Sequence, residues 1–294
     1  MVIVLYFSIV LTTVVQSAAA KLFNRQSQNA AAFNLIKAVT ALALFALMAL
    51  GGFTLHIPTL LFGLAYGACQ TVSMYAGYKA LCLGPMAPTS MLVSFSVVIP
   101  LLWGLTVCGE SLKPLQPWGL LLLLAAMILT NADKLFGQKQ GKQTASQENA
   151  GRRYGTWLLL VAATFLCNGT AAVLQNSHQA RYPEAYTREF MLFAMLVCAV
   201  SFAVLALLCT PIKEIKATKG KRYGALAGVC MGLVGFLTLS AAGLENASVL
   251  FPMISAGTLL GALLCGRFLF GERLRGNHYL ALLFGILAVV FLKL

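Results

Sequence analysis

Between Gly104 and Phe136 an apolar stretch runs into the polar turn Gly109-Glu110-Ser111-Leu112-Lys113-Pro114 and out into a second apolar stretch from Trp118 to Thr130. Two segments this apolar, joined by so short a polar turn, fit a helical hairpin in a bilayer, where the helix satisfies its own backbone polar groups. The end of the chain repeats the plan: Gly266, then Gly271-Glu272-Arg273-Leu274-Arg275-Gly276, then an apolar stretch from Tyr279 onward. The offset that sets Glu110 on Glu272 also sets Gly104 on Gly266, Leu112 on Leu274 and Lys113 on Arg275. Two such hairpins point to a chain built by duplication.

A membrane span needs about 20 apolar residues. By that measure the sequence predicts spans over 2–20, 30–50, 58–82, 86–108, 116–134, 155–175, 188–210, 223–243, 248–270 and 278–294. The run Ser17-Ala18-Ala19-Ala20 resembles a signal-peptide cleavage site, but no basic residue precedes it, so 2–20 is read as a helix. The segment 137–153, rich in Gln, Lys, Ser and Gly, is read as a polar linker between a first repeat over 1–136 and a second over 154–294. Because five spans is an odd number, the second repeat enters the membrane with the opposite orientation. The fold class expected is therefore an all-α integral membrane protein of ten transmembrane helices in two inverted five-helix repeats.

Composition excludes the soluble alternative. The 294 residues are 60% hydrophobic and only 10% charged, with a mean hydropathy of +0.84, too apolar to cover a soluble domain. The formal charge of +13 raises nucleic-acid binding as a question. However, the basic residues sit in short loops between apolar segments, where topology and anionic lipid place them. Loops after odd-numbered spans carry most of them, including Lys21, Arg25, Lys139, Lys142, Arg152, Arg153, Lys213, Lys216 and Arg273, whereas the other loops hold Lys113, Arg181 and Arg188. By the positive-inside rule both termini lie outside a plasma or bacterial inner membrane. The eight cysteines lie in or at the ends of apolar segments without the spacing of a redox or metal pair, and the three histidines are scattered. No metal or cofactor is expected.

The hairpin sequence carries a family resemblance. Gly109-Glu110-x-Leu112-x-x-x-Gln116-x-x-Gly119, with Gly271-Glu272-x-Leu274 in the second half, resembles the signature of the drug/metabolite transporter superfamily, particularly its EamA-like ten-helix members. Gln16, shortly before Lys21, is similar to the polar position of that family's first helix, and Phe165-Leu166-Cys167-Asn168 to the same run in the sixth. The resemblance implies a carrier with the 5+5 architecture. It also implies an N-terminus in the cytoplasm, opposite to the charge count.

Polar residues inside apolar spans are costly and mark either interhelical hydrogen bonds or a hydrated pathway. Thr13, Gln16 and Ser17 share a face of the first span, as do Thr164, Asn168 and Gln175 on the sixth. Tyr66, Gln70 and Ser73 line one face of the third, with Tyr78 nearby; the duplication offset carries Tyr78 onto Ser240, and Ser94 and Ser255 add hydroxyls on the fourth and ninth. Lys37 lies roughly 10 Å along the second span, with Asn34 one turn earlier. It either snorkels to the interface or holds a fixed charge for an anionic group, with Glu189 as a candidate partner. The candidate substrate-binding set is thus Gln16, Asn34, Lys37, Gln70, Ser73, Tyr78, Ser94, Asn168, Ser240 and Ser255. The hairpin acids Glu110 and Glu272 are assigned a structural role at the start of the following helix, and Gly63, Gly67, Gly224, Gly228 and Gly232 a role in close helix packing.

These readings converge on a secondary carrier for a small polar organic metabolite, amino acid-like, zwitterionic or anionic, working by alternating access around helices 1–4 and 6–9. A multidrug or quaternary-amine carrier is the alternative within the same superfamily. A membrane enzyme would want clustered acids or a metal, and the sequence has a single aspartate, Asp133. A channel would not need the inverted plan. The partners expected are the solute and membrane lipid, and the chain acts as a monomer or homodimer.

Overall fold

In a computed structural model, the described residues are 2–26, 29–83, 89, 92–137, 147–183, 185–209, 218–271 and 276–294. They form α1 (Val2–Gln26), α2 (Ala30–Ala49), α3 (Ile57–Leu83), α4 (Val98–Thr106) preceded by the 3₁₀ turn Phe95–Val97, and α5 (Gln116–Gly137). The second half of the chain supplies α6 (Gln147–Arg181), α7 (Thr187–Cys209), α8 (Lys221–Ala242), α9 (Ala247–Phe270) and α10 (Gly276–Lys293). Among the described residues there is no β-strand.

Seven of these helices hold segments long and apolar enough to cross a membrane: α1, α2, α6, α7, α8, α9 and α10. Leu92–Thr106 and Gln116–Thr130 are shorter apolar segments. The 27-residue α3 has the length, but Tyr66, Gln70, Thr71 and Ser73 dilute its apolar character. Large side chains lie bare on the surface, with Leu50, Leu208 and Phe268 each about four-fifths exposed. In water such a surface would aggregate; in lipid it is the natural exterior.

Most predicted boundaries fall within three residues of the helices, but the fourth span, predicted over 86–108, is a shorter apolar segment, Leu92–Thr106, broken by a 3₁₀ turn. Helix α6 begins at Gln147, within the segment read as linker, and continues to Arg181, past the predicted end at 175. Helix α1 likewise runs on to Gln26. Residues 138–146, residues 86–88 and 90–91 of the predicted fourth span, and the second turn Glu272-Arg273-Leu274-Arg275 lie outside the described residues.

The chain divides into two compact units, Met1–Thr71 with Val173–Glu245, and Val72–Ala172 with Asn246–Leu294. These units interleave along the sequence. In the first unit α1 packs on α8, and α2 packs on both α7 and α8. The α2–α8 seam is a ladder of glycines. Gly224 abuts Ile36, Gly228 abuts the Lys37 carbonyl and Thr40, and Gly232 abuts Leu44 and Phe45. Gly63 and Gly67 do the same for α3 against Phe190, Phe193 and Ala194 of α7. Dispersion, which grows as backbones approach, holds such seams where no hydrophobic drive exists.

In the second unit α5 packs on α10, and α9 on α10 and α4. Gly119 lets Leu292 and Ala288 close on α5, and Gln116 Nε2 donates to the Leu292 carbonyl at 3.2 Å. Both turn glycines stop their helices in the left-handed region, Gly109 and Gly271 each at φ +66°, a conformation that glycine adopts without steric cost. The amide after Gly109 closes back on Gly104 at 3.0 Å, and Gly271 N–H on Gly266.

The hairpin acid corrects one expectation. Glu110 does not serve the helix that follows it. Its two oxygens accept from Ala247 N–H at 2.9 Å and Ser248 N–H at 2.8 Å, the first amides of α9. Those amides are free because an α-helix leaves its first four N–H groups unpaired.

Candidate functional site

The first unit holds a cavity of about 560 Å³ lined by Leu5, Thr54, Tyr186, Thr187, Arg188, Glu189, Phe236, Ser240 and Leu244. Its wall is drawn from the start of α1, the α2–α3 connection, the start of α7 and the last turns of α8. All of these lie at one end of their helices, so the cavity sits at a single end of that unit's bundle. Volumes of this size match small-ligand sites.

Glu189 is the chemically distinctive group. It sits in the first turn of α7, where the helix dipole favours an anion, and it is only 8% exposed. Its Oε1 accepts from the Thr54 backbone N–H and hydroxyl, both at 3.3 Å. The anticipated pairing with Lys37 is absent: Glu189 turns to Thr54, while the Lys37 ammonium lies 5.5 Å from the Phe33 ring centroid. Lys37 is itself buried and close enough to Cys198 to interact electrostatically. Arg188, next to Glu189, is exposed and lies near Gly51.

Behind the cavity wall runs a hydrogen-bonded chain that sequence reasoning missed. His56 Nδ1 and Thr59 Oγ1 are 2.8 Å apart, and Thr59 Oγ1 and His178 Nε2 are 3.0 Å apart. Gln179 Nε2 lies 3.4 Å from His178 Nδ1 and donates to Thr187 Oγ1 at 3.4 Å. Thr59, His178 and Gln179 are fully buried. Tyr186, a cavity residue, stacks on His56 at 4.3 Å with its ring nearly parallel. It is held at φ +54°, the one non-glycine residue with positive φ among those described. A strained backbone of this kind persists only where its surroundings fix it. The polar run Gln175 to Gln179 reads as the end of a span; the available signal was its helical spacing, since Gln175, Asn176, His178 and Gln179 are all buried.

Of the ten candidate residues, Ser240 lines the cavity, its hydroxyl donating to the Phe236 carbonyl at 2.9 Å. Gln16 and Asn34 of the first unit are partly buried, and so is Gln70, at the unit's edge. In the second unit Asn168 Nδ2 donates to Ser96 Oγ at 2.6 Å. There Ser73 is buried, Ser255 partly buried, and Tyr78 and Ser94 are exposed. Several hydroxyls of the predicted stripes satisfy themselves on their own helices, Thr13 on Ile9, Ser17 on Thr13 and Thr164 on Leu160, a common resolution in apolar surroundings. Only one of the ten candidates therefore belongs to the cavity, which adds Thr54, Tyr186, Thr187, Arg188 and Glu189.

No protein-family model matches the chain, and no curated protein matches it. Among solved structures 28 chains match. One, a crystal structure of another protein, is similar over 98% of this chain and 94% of its own, with a TM-score of 0.76 and 17% sequence identity. At that identity the likeness is one of fold alone.

Proposed function

We propose that this chain is a secondary carrier of the drug/metabolite transporter type, with ten spans in two inverted five-helix repeats. It moves a small polar organic metabolite, amino acid-like, zwitterionic or anionic, by alternating access. The observation that carries the reading is a cavity with charged and hydroxyl groups in a bundle whose exterior is apolar. Matching conformations at Gly109 and Gly271 support the duplication. Helices α3, α4 and α5 would complete the spans beyond the seven long ones.

Under the charge-based topology, the start of α1, the α2–α3 connection and the α6–α7 connection all lie on the outer side. The cavity then belongs to an outward-facing state of a multi-pass cell-membrane protein. A C-terminal fusion reporter that is active only in the cytoplasm would reverse that orientation. A multidrug or quaternary-amine carrier is the second reading, favoured by the buried acid Glu189 in the cavity wall. An enzyme or a channel remains the reading from another class.

The decisive experiment is flux into proteoliposomes containing only this protein. Saturable uptake stimulated by solute on the opposite side supports a carrier. Unsaturable flux indicates a channel, and chemical change of the solute an enzyme. A thermal-shift screen over amino acids, nucleosides, quaternary amines and sugar nucleotides would select the solutes, since ligands stabilise what they bind.

A further inference from the structure

We infer that the cavity of the first unit is a site for an organic ammonium group on a small, partly apolar body, with the Glu189 carboxylate as its recognition element. This deepens the carrier reading and rests on it only for the direction of use; binding itself does not require transport.

The Glu189 carboxylate is incompletely coordinated. An ionised carboxylate offers about four acceptor positions, and one left bare in a protein interior is expensive. Glu189 is more than nine-tenths buried. Thr54 occupies only Oε1, with two donors at 3.3 Å, and no described residue donates to Oε2. The residue nonetheless lines an open cavity of about 560 Å³. Its position in the first turn of α7 sets it at the positive end of the helix dipole.

The rest of the wall suits an ammonium ion rather than water alone. The three N–H donors of an alkylammonium find Glu189 Oε2, while the Ser240 hydroxyl, which gives its proton to Phe236 O, keeps its oxygen lone pairs for an incoming donor. Tyr186 and Phe236 supply aromatic faces of the kind that attract cations. Leu5, Leu244 and Phe236 give the apolar contact for a carbon skeleton.

Arg188 does not neutralise the acid. Adjacent residues on a helix point about 100° apart, Arg188 is exposed where Glu189 is buried, and no ion pair joins them. Its guanidinium is instead available at the cavity rim for a carboxylate. The shared chemistry is therefore the ammonium group, whether of a simple amine or of a zwitterionic amino acid, and Arg188 separates the two.

The test uses the full chain purified in detergent, with unfolding temperature and calorimetric titration as readouts and four isosteric probes: isopentylamine, L-leucine, isovalerate and isopentanol. Saturable stabilisation by isopentylamine or L-leucine, and none by isovalerate or isopentanol, is expected. Glu189→Gln keeps the side-chain shape and should weaken that binding at least tenfold; Arg188→Gln should weaken L-leucine alone. Stabilisation by isovalerate alone, no response to either amine, or a Glu189→Gln protein that binds amine like wild type would overturn the inference. If Glu189→Gln does not fold, Ser240→Phe, which fills the cavity from α8, must abolish the amine response; an unchanged response sinks the proposal equally. Flux in proteoliposomes keeps the two readings apart. Amine binding without flux removes the carrier and leaves the site, whereas flux of other solutes without amine binding removes the site and leaves the carrier.

Discussion

The Glu110 carboxylate grips the backbone of Ser248, accepting that N–H at 2.8 Å while its second oxygen takes Ala247 N–H at 2.9 Å. An acid in the α4–α5 turn thus caps α9, more than a hundred residues later in the chain. Each charge-assisted bond of this kind contributes about 1.5–3 kcal/mol, and the α9 dipole adds to it. Glu110→Ala should therefore cost about 3 kcal/mol of stability, measured by unfolding in detergent, and Glu110→Gln, which keeps one acceptor, about half. A Glu110→Ala protein as stable as wild type would show that water replaces the cap. Because Glu110 is not among the residues that line the cavity, the amine response of the folded fraction should be unaffected.

The same cap explains the glycine spacing of the hairpin. A Cβ at Gly104 would collide with the Glu110 carboxylate and crowd Ser248 N at 3.1 Å. Gly104→Ala should thus destabilise by about 1–3 kcal/mol through displacement of the acid. In a double-mutant cycle most of that cost should vanish on the Glu110→Ala background, because residues in contact couple. Strict additivity would mean that the two residues act independently.

What the sequence made legible follows from where the physics is local. Apolar length and turn glycines act within a few residues, so the helices and the φ +66° stops at Gly109 and Gly271 were readable, as were the packing glycines Gly63, Gly67, Gly224, Gly228 and Gly232. The partner of Glu110 was not, because the acid looks the same whether it caps the next helix or α9. The cavity was hidden for a related reason. Thr54 and Tyr186 stand at helix ends, where polar residues attract no notice, and Glu189 was read only as a partner for Lys37, whereas reasoning from cost inside the spans selected Gln16, Asn34 and Gln70. His178 fell outside the predicted sixth span because its polar neighbours imitate a loop, although Thr59 and Gln179 satisfy it within the helical core.

The seam between α2 and α8 gives a graded test of packing. A Cβ at Gly228 would sit 2.5 Å from the Lys37 carbonyl and 2.8 Å from Thr40 Cβ, and backbone cannot move aside without parting the helices. At Gly232 the nearest atoms are Leu44 Cδ2 at 3.0 Å and Phe45 Cε2 at 3.2 Å, both far ends of side chains that can rotate. Gly228→Ala should cost about 2 kcal/mol and Gly232→Ala less than about 1. Equal unfolding temperatures for the two variants would contradict this account of the seam.

Thr59 is the bridge of the histidine chain, with its hydroxyl within 2.8 Å of His56 and 3.0 Å of His178. One hydroxyl donates a single proton and can accept two, so at most one of the two rings is the acceptor and at least one gives an N–H. Thr59→Val preserves shape and leaves the buried His178 nitrogen without its partner, at about 1–3 kcal/mol; Thr59→Ser should recover most of the loss. If valine and serine variants unfold at the same temperature, the loss comes from packing and the bridge contributes nothing.

Lys37 separates a structural from a functional role by the sign of its effect on stability. It is only 7% exposed, lies roughly 10 Å along α2, and forms no ion pair among the described residues; the Phe33 ring lies 5.5 Å from its ammonium, with Cys198 also near. Burying a lone ammonium is costly, and a cation–π contact returns only about 1–2 kcal/mol. If the charge is kept for an anionic or zwitterionic solute, Lys37→Gln should raise the unfolding temperature while raising the KM for that solute at least tenfold, the trade of stability against function that such sites show. Lys37→Arg, which keeps the charge, should retain more uptake than glutamine does. If Lys37→Ala leaves transport unchanged at every substrate concentration, the ammonium has no role in the solute path.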